Sequence, residues 1–119
     1  MFRPRSVDLR TQAGPVSARI ADGFITRACG LLFCAPLSPG EALLILPCCR
    51  IHTFGMRHPI DAIFIDHSAN VVAVVERLPA RRIAGCRGAR AVLEMTAGGA
   101  AAAGLYRGTR LAELEAVLR

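Results

Sequence analysis

Lysine is absent from this chain: all 15 basic residues are arginine. A Schiff base on a lysine amine and a lysine general base are therefore excluded. Tryptophan is absent too, and Tyr106 is the single tyrosine, so Leu, Ile, Val, Ala and five Phe must fill any core. Acidic residues number nine, which leaves a formal charge of +6. No apolar run approaches the roughly 20 residues that a membrane helix needs. Met1 to Asp8 show none of the apolar stretch of a secretory signal. The paired Cys-x-x-Cys or His-x-x-x-His elements that usually frame a structural zinc are missing. So are a Gly-x-Ser-x-Gly elbow and a glycine-rich phosphate loop.

What is present suits one domain. The chain has 119 residues, 53% of them hydrophobic, enough for one core. A single domain over 1–119 is expected, with 1–13 and 115–119 as peripheral segments. The arginines are scattered, with only Arg81 and Arg82 adjacent, and no tract alternates them with aromatics. No nucleic-acid module is matched, so the expectation is a solvated basic surface without a specific nucleic-acid partner. Five cysteines, Cys29, Cys34, Cys48, Cys49 and Cys86, form an odd set. Without an export signal, reduced thiols and a cytoplasmic location are the default.

The pattern along the chain is mostly that of strands. Val16, Ala18 and Ile20 alternate with polar residues, as in a half-buried strand. Phe24 to Phe33 reads as a short helical segment weakened by Gly30. Glu41 to Leu46 is a continuous apolar run that suits a strand buried on both faces. Arg50 to Met56 reads as an extended piece with His52, Phe54 and Met56 on one face and Ile51, Thr53 and Gly55 on the other. Ile60 to Ile65 and Val71 to Glu76 are β-branched runs joined by the polar turn Asp66 to Asn70, the clearest hairpin signal in the chain. Leu78 to Gly88 reads as a loop rich in Pro, Gly and Arg, and Arg90 to Met95 as a strand. Thr96 is placed to cap a short alanine-rich helix ending at Gly104. From Thr109 the tail is ambiguous: Leu111, Leu114 and Leu118 have helical spacing.

Several constellations bear on chemistry. Cys49-x-x-His52 has ligand-like spacing, yet buried thiols are ordinary small hydrophobes, so no metal and no cofactor are expected. A Cys–His nucleophile needs the two side chains within hydrogen-bond reach, and strand alternation sends Cys49 and His52 to opposite faces. Asp61 shares a face with Ile63 and Ile65, which look buried. A buried carboxylate requires a cation or several donors. Arg27 and Arg57 are candidate partners for it; the alternative is that Asp61 caps the turn after Pro59. His52, Phe54 and Met56 are candidates to line a cleft beside that turn.

Three ordered blocks resemble the signature of the domain of unknown function 192 family, found in bacteria and archaea. They are Arg27-Ala28-Cys29-Gly30-Leu31-Leu32-Phe33; Ile51 through Asp66 with Val71-Val72 after it; and Val92-Leu93-Glu94-Met95, followed by Gly98 and Gly104-Leu105-Tyr106-Arg107-Gly108. The Phe54-Gly55-Met56-Arg57-His58 stretch resembles a short His-Thr-Phe variety of the family. The resemblance implies a compact, mainly antiparallel β domain with one or two short helices, and a strand starting near Thr109. It carries over no catalytic residue. It favours an ordered pair between Arg27 and Glu94, whose strand puts Val92 and Glu94 on one face and Leu93 and Met95 on the other.

The reading is therefore an α+β, mainly β domain, a sandwich or partly closed barrel. Its expected role is that of a small cytosolic binding or accessory domain. Arg27, His52, Phe54, Met56, Arg57, Asp61 and Glu94 are the candidate cleft residues, and an unidentified small molecule or protein is the partner; no membrane association is expected. The alternatives are a small Cys/His hydrolase or redox enzyme, and an Arg-mediated binder of anions or nucleic acid.

Overall fold

The structure, a computed structural model, describes residues 5–21 and 37–118. The proposed helical segment at Phe24 to Phe33, and with it Arg27, Cys29 and Cys34, lies outside these residues. Eight strands are described: β1 (Ser6–Thr11), β2 (Gly14–Ala21), β3 (Glu41–Ile45), β4 (Arg50–His52), β5 (Ile60–Ile65), β6 (Val71–Leu78), β7 (Ile83–Gly85) and β8 (Ala91–Thr96). Helix α1 spans Gly99–Ala103, and a single 3-10 turn, Ala112–Leu114, leads into α2, Glu115–Leu118.

Six strands form one open sheet in the order β1-β2-β3-β8-β5-β6, and β4 pairs with β7 in a separate two-stranded ribbon. The fold is mainly β, as expected. All pairings are antiparallel except β2 with β3. The central strands show why the apolar runs lie where they do. β5 sits between β6 and β8, and all six of its residues are buried. β3 sits between β2 and β8 with Ala42, Leu43 and Leu44 buried.

The two faces of the large sheet carry two cores. On the first, Leu9, Val16, Ala18, Ile20, Leu44, Ile63, Ile65 and Leu93 pack beneath α1 and the C-terminal segment, which supplies Leu105, Leu111, Leu114 and Leu118. Burying each such leucine or isoleucine contributes about 1.5–3 kcal/mol. On the second, Ile60, Ala62, Phe64, Leu78 and Val92 pack against Ile51 of the ribbon, with Cys48, Met56, Ala84 and Cys86 around it.

The hairpin of β5 and β6 forms as expected. Asp66 closes its turn, its Oδ1 accepting the N–H groups of Ser68 and Asn70, both at 2.9 Å. The tail from Thr109 is resolved in favour of its helical spacing. Extended pairing is confined to one bridge, Asn70 with Arg110, because Leu111, Leu114 and Leu118 must all turn inward to reach the first core.

Three sequence expectations are corrected. The loop from Leu78 to Gly88 contains β7, whose pairing with β4 supplies the hydrogen bonds that its composition did not advertise. Thr96 does not cap α1; Gly98 does, at φ 91°, a left-handed conformation suited to glycine. The extended piece from Arg50 ends at His52, and Phe54-Gly55 form a turn closed by Met56 N–H donating to the Thr53 carbonyl at 3.2 Å.

Thr53 is the reason for that break. Its side chain is fully buried. Its Oγ1 donates to the Pro79 carbonyl at 2.6 Å and accepts the Arg82 N–H at 2.9 Å. Its own N–H donates to the Arg82 carbonyl. One hydroxyl thus fastens the end of β4 to the loop that leads into β7. Thr53→Val keeps the shape and removes the hydroxyl, leaving a buried donor and acceptor unpaired at about 1–3 kcal/mol. Urea unfolding should show that loss as a lower midpoint at constant slope, and Thr53→Ser should recover most of it.

Candidate functional site

Asp61 is fully buried, and among the described residues its carboxylate is held by backbone N–H groups, not by an arginine side chain. Oδ1 accepts the Arg77 N–H at 2.9 Å. Oδ2 accepts the Gly98 N–H at 3.0 Å and the Ala100 N–H at 2.9 Å. The first contact arises from a bulge. Ile60 pairs with Leu78 and Ala62 with Val75, so Glu76 and Arg77 together oppose Asp61. Arg77 takes up φ 52° there, and its N–H turns to the carboxylate. The other two contacts satisfy amides at the start of α1, which otherwise lack partners. Of the expected roles, neither an ion pair with Arg57 nor a cap on the Pro59 turn is what the described residues show; the expected pair with Arg27 falls outside them.

Glu94 has the opposite fate. It pairs across to Leu43 on one side and Ala62 on the other, so its side chain projects on the second face. It is only 4% exposed, where exposure would be the default for a glutamate on a strand. Among the described residues no side chain or amide donates to it. Burial alone pushes its pKa from 4.5 up to about 7. Asp61 pairs with Met95, one residue along β8, and so faces the other core. The sheet therefore separates the two buried carboxylates, and no single cleft collects both.

The remaining candidates lie on the ribbon. His52 is exposed and pairs directly with Ile83 on β7, which is 63% exposed. Phe54 is 49% exposed, with its ring centroid 5.7 Å from that of His52 and the planes tilted by 45°. Met56 parts company with them and packs into the second core. Arg57 is exposed in the next turn. Arg50 shares the outer face with His52 by strand alternation. Its side chain lies over Gly85: a Cβ there would meet Arg50 Nε at 3.6 Å and the Cys49 carbonyl at 3.3 Å.

Sequence reasoning did not single out Arg50, Arg81, Arg82, Arg87 or Ile83 as site residues. All five are exposed on or beside the ribbon. Residues 46–60 and 77–93 contain no Asp or Glu, and that gap is the sequence signal that identifies this surface. Among the described residues none of Arg50, Arg57, Arg81, Arg82 and Arg87 pairs with a carboxylate; the ion pair of Arg110 with Glu115 lies elsewhere.

Three of the thiols, Cys48, Cys49 and Cys86, fall among the described residues. Cys48 Sγ donates to the Arg50 carbonyl at 3.1 Å and Cys86 Sγ to the Arg87 carbonyl at 3.7 Å. Cys49 is exposed. Among the described residues no three His, Cys, Asp or Glu side chains converge as metal ligands. No helix among them is long and apolar enough to cross a membrane.

The family model for domain of unknown function 192, described as Uncharacterized ACR, matches residues 7–112. The chain belongs to this family. Its fold is similar to that of a crystal structure of a protein of unknown function from Novosphingobium aromaticivorans. That match has a TM-score of 0.74 and 22% identity, covering 90% of this chain and 83% of that one. It is similar also to a putative transcription regulator from Sinorhizobium meliloti, with a TM-score of 0.77 and 21% identity, covering 93% of this chain and 95% of that one. At these identities the likeness concerns the fold. No curated protein matches the chain in sequence.

Two outcomes test the buried acids. Asp61→Asn replaces one accepting oxygen by an N–H₂ that faces an N–H donor. It should lower unfolding free energy by about 2–3 kcal/mol. Asp66→Asn keeps the single oxygen that its turn uses and should stay within about 0.5 kcal/mol of the parent in the same urea titration. For Glu94 the raised pKa means that the native state holds its proton after the unfolded chain has lost it. Its contribution to stability is complete below about pH 4.5 and is lost as pH rises through about 7. The loss amounts to about 3 kcal/mol. Glu94→Gln should remove that slope, so thermal melts of parent and variant should lie closer at pH 5 than at pH 8, where the variant is the more stable.

Proposed function

We propose that this is a binding domain, not a catalyst, and that it holds anionic groups on the outer face of the β4–β7 ribbon. The observation that carries this reading is a set of exposed arginines, Arg50, Arg57, Arg81, Arg82 and Arg87, on a surface whose own segments hold no acid. Among the described residues none of the five has a carboxylate partner. Like charges gathered without counter-charges repel one another, and an anionic partner relieves that repulsion. Guanidinium groups offer planar, paired donors that fit carboxylate and phosphate. The two buried carboxylates support the same assignment from the other side. One is consumed by backbone amides and the other is enclosed, so neither is presented to a substrate at this surface.

A cytoplasmic setting belongs to the same reading, supported by Cys49 and Cys86, which are free thiols. Of the cleft expected from Arg27, His52, Phe54, Met56, Arg57, Asp61 and Glu94, this reading keeps the exposed group His52, Phe54 and Arg57; Arg27 lies outside the described residues.

Inorganic polyphosphate tests the reading because it offers charge without shape or bases. Titration calorimetry should show binding that weakens steeply with added salt, as counter-ion release requires. Reversing Arg81 and Arg82 to glutamate should abolish it while the melting temperature holds, since both side chains are exposed. Salt-independent binding, or binding unchanged by the double reversal, would sink the assignment.

A further inference from the structure

We infer that the anion held on this face is the backbone of a single-stranded nucleic acid, with Phe54 and His52 serving as the platform on which a base stacks. The inference rests on the anionic reading above and adds the identity of the partner.

The face carries more than charge. Phe54 is half exposed at the tip of a turn, and His52 lies beside it with ring centroids 5.7 Å apart. Ile83 stands directly across from His52 and is 63% exposed. Phe54 and Ile83, left open in segments that also carry these arginines, belong to neither core among the described residues. The inward side of the same ribbon already fills the second core through Ile51 and Ala84. A partner that matches the outer side must bring negative charge and flat apolar surface together at short spacing. An acidic peptide brings the charge without the flat surface. A nucleic-acid duplex brings phosphates, but its bases are stacked on one another and closed to a protruding ring. A single strand brings both, because every base has a free π-face and every nucleotide a phosphate.

Along the chain the charges flank the aromatic pair on both sides. Arg50 precedes His52 on β4, held over Gly85. Arg57 comes after the Phe54-Gly55 turn. Arg81 and Arg82 lead into Ile83, and Arg87 lies just beyond Gly85. Thr53 fixes the turn that carries Phe54 to the loop that carries Arg81 and Arg82, through its bonds to the Pro79 carbonyl and the Arg82 N–H. Stacking and phosphate contacts are thereby mounted on one rigid unit. Among the described residues this face presents no fixed donor and acceptor pattern of the kind that reads base edges, so the binding is indifferent to sequence.

The test is fluorescence anisotropy of the full chain with labelled oligo(dT), the duplex of the same length, inorganic polyphosphate and poly-glutamate as competitors. The expected result is binding of the single strand in preference to duplex and to poly-glutamate, weakening by roughly 10–100-fold for a fourfold rise in salt. Phe54→Ala should weaken oligo(dT) binding about tenfold, the loss of one stacked base, and leave polyphosphate binding unchanged. A thermal melt matching the parent shows that the variant is folded. Polyphosphate bound but oligo(dT) not bound, or bound equally well by Phe54→Ala, overturns the nucleic-acid assignment and leaves the anionic face standing. A preference for poly-glutamate assigns the face to an acidic protein and likewise overturns it. Failure to bind any polyanion defeats both readings.

Discussion

Much of this molecule depends on one carboxylate accepting three backbone amides. Asp61 sits mid-sheet on a strand with no exposed residue, and it gathers N–H groups from two elements far apart in sequence. From Arg77 it takes the amide set free by the β6 bulge. From Gly98 and Ala100 it takes amides at the beginning of α1. Hydrogen bonds to a charged acceptor are each worth about 1.5–3 kcal/mol, and an orphaned buried amide costs a similar amount. The bulge, the left-handed Arg77 and the glycine-led start of α1 are three local costs offset at a single point. The C-terminal part of the chain depends on it, because α1 delivers Leu105 and then the tail that closes the first core through Leu111, Leu114 and Leu118.

This explains which parts of the structure were legible in the residues. The strands around Ile20, Leu44, Ile63, Val74 and Leu93 announce themselves by β-branched and apolar runs, and the hairpin by its polar turn. The burial of Asp61 was legible as well, since it shares a face with Ile63 and Ile65. Its partners were not. They are backbone groups 16 to 39 residues away, and an amide leaves no mark in the identity of its residue. Thr53 was hidden for the same reason: its partners are a proline carbonyl and an arginine amide. β1 was missed because Ser6, Asp8 and Arg10 dilute its pattern, leaving Leu9 as its one fully buried residue. β7 was missed because three residues ending in glycine carry too little apolar weight to register as a strand.

Asp61 and Glu94 show how little residue type says about role. They belong to neighbouring strands, at adjacent register positions, and both are buried. One faces the side where a bulge and a helix start supply donors; the other faces Leu43 and Ala62 in its own row and gains none among the described residues. The pleat decides the difference, since a shift of one position exchanges the two faces. Alternation on β5 and β8 separates Asp61 from Glu94, and the Phe54-Gly55 turn takes Met56 out of the row of His52. His52 and Phe54 remain together on the outside, Met56 is drawn into the second core, and Asp61 serves the far face.

The large sheet leaves little room for function because nearly every inward position is taken by packing. The ribbon is under a different constraint. Its inner residues, Ile51 and Ala84, complete the second core, and Thr53 ties its end to the neighbouring loop. Once those are fixed, the outward positions of Arg50, His52, Phe54 and Ile83 are left unconstrained by the packing of the described residues. A solvated arginine costs a small domain little, but exposing a phenylalanine and an isoleucine beside it forfeits about 1.5–3 kcal/mol per side chain that burial would have contributed. A fold held by about 5–15 kcal/mol in total gains nothing internally from leaving both in water. The proposed partner gives the apolar side chains and the charge a single physical reason, covering the one while neutralising the other.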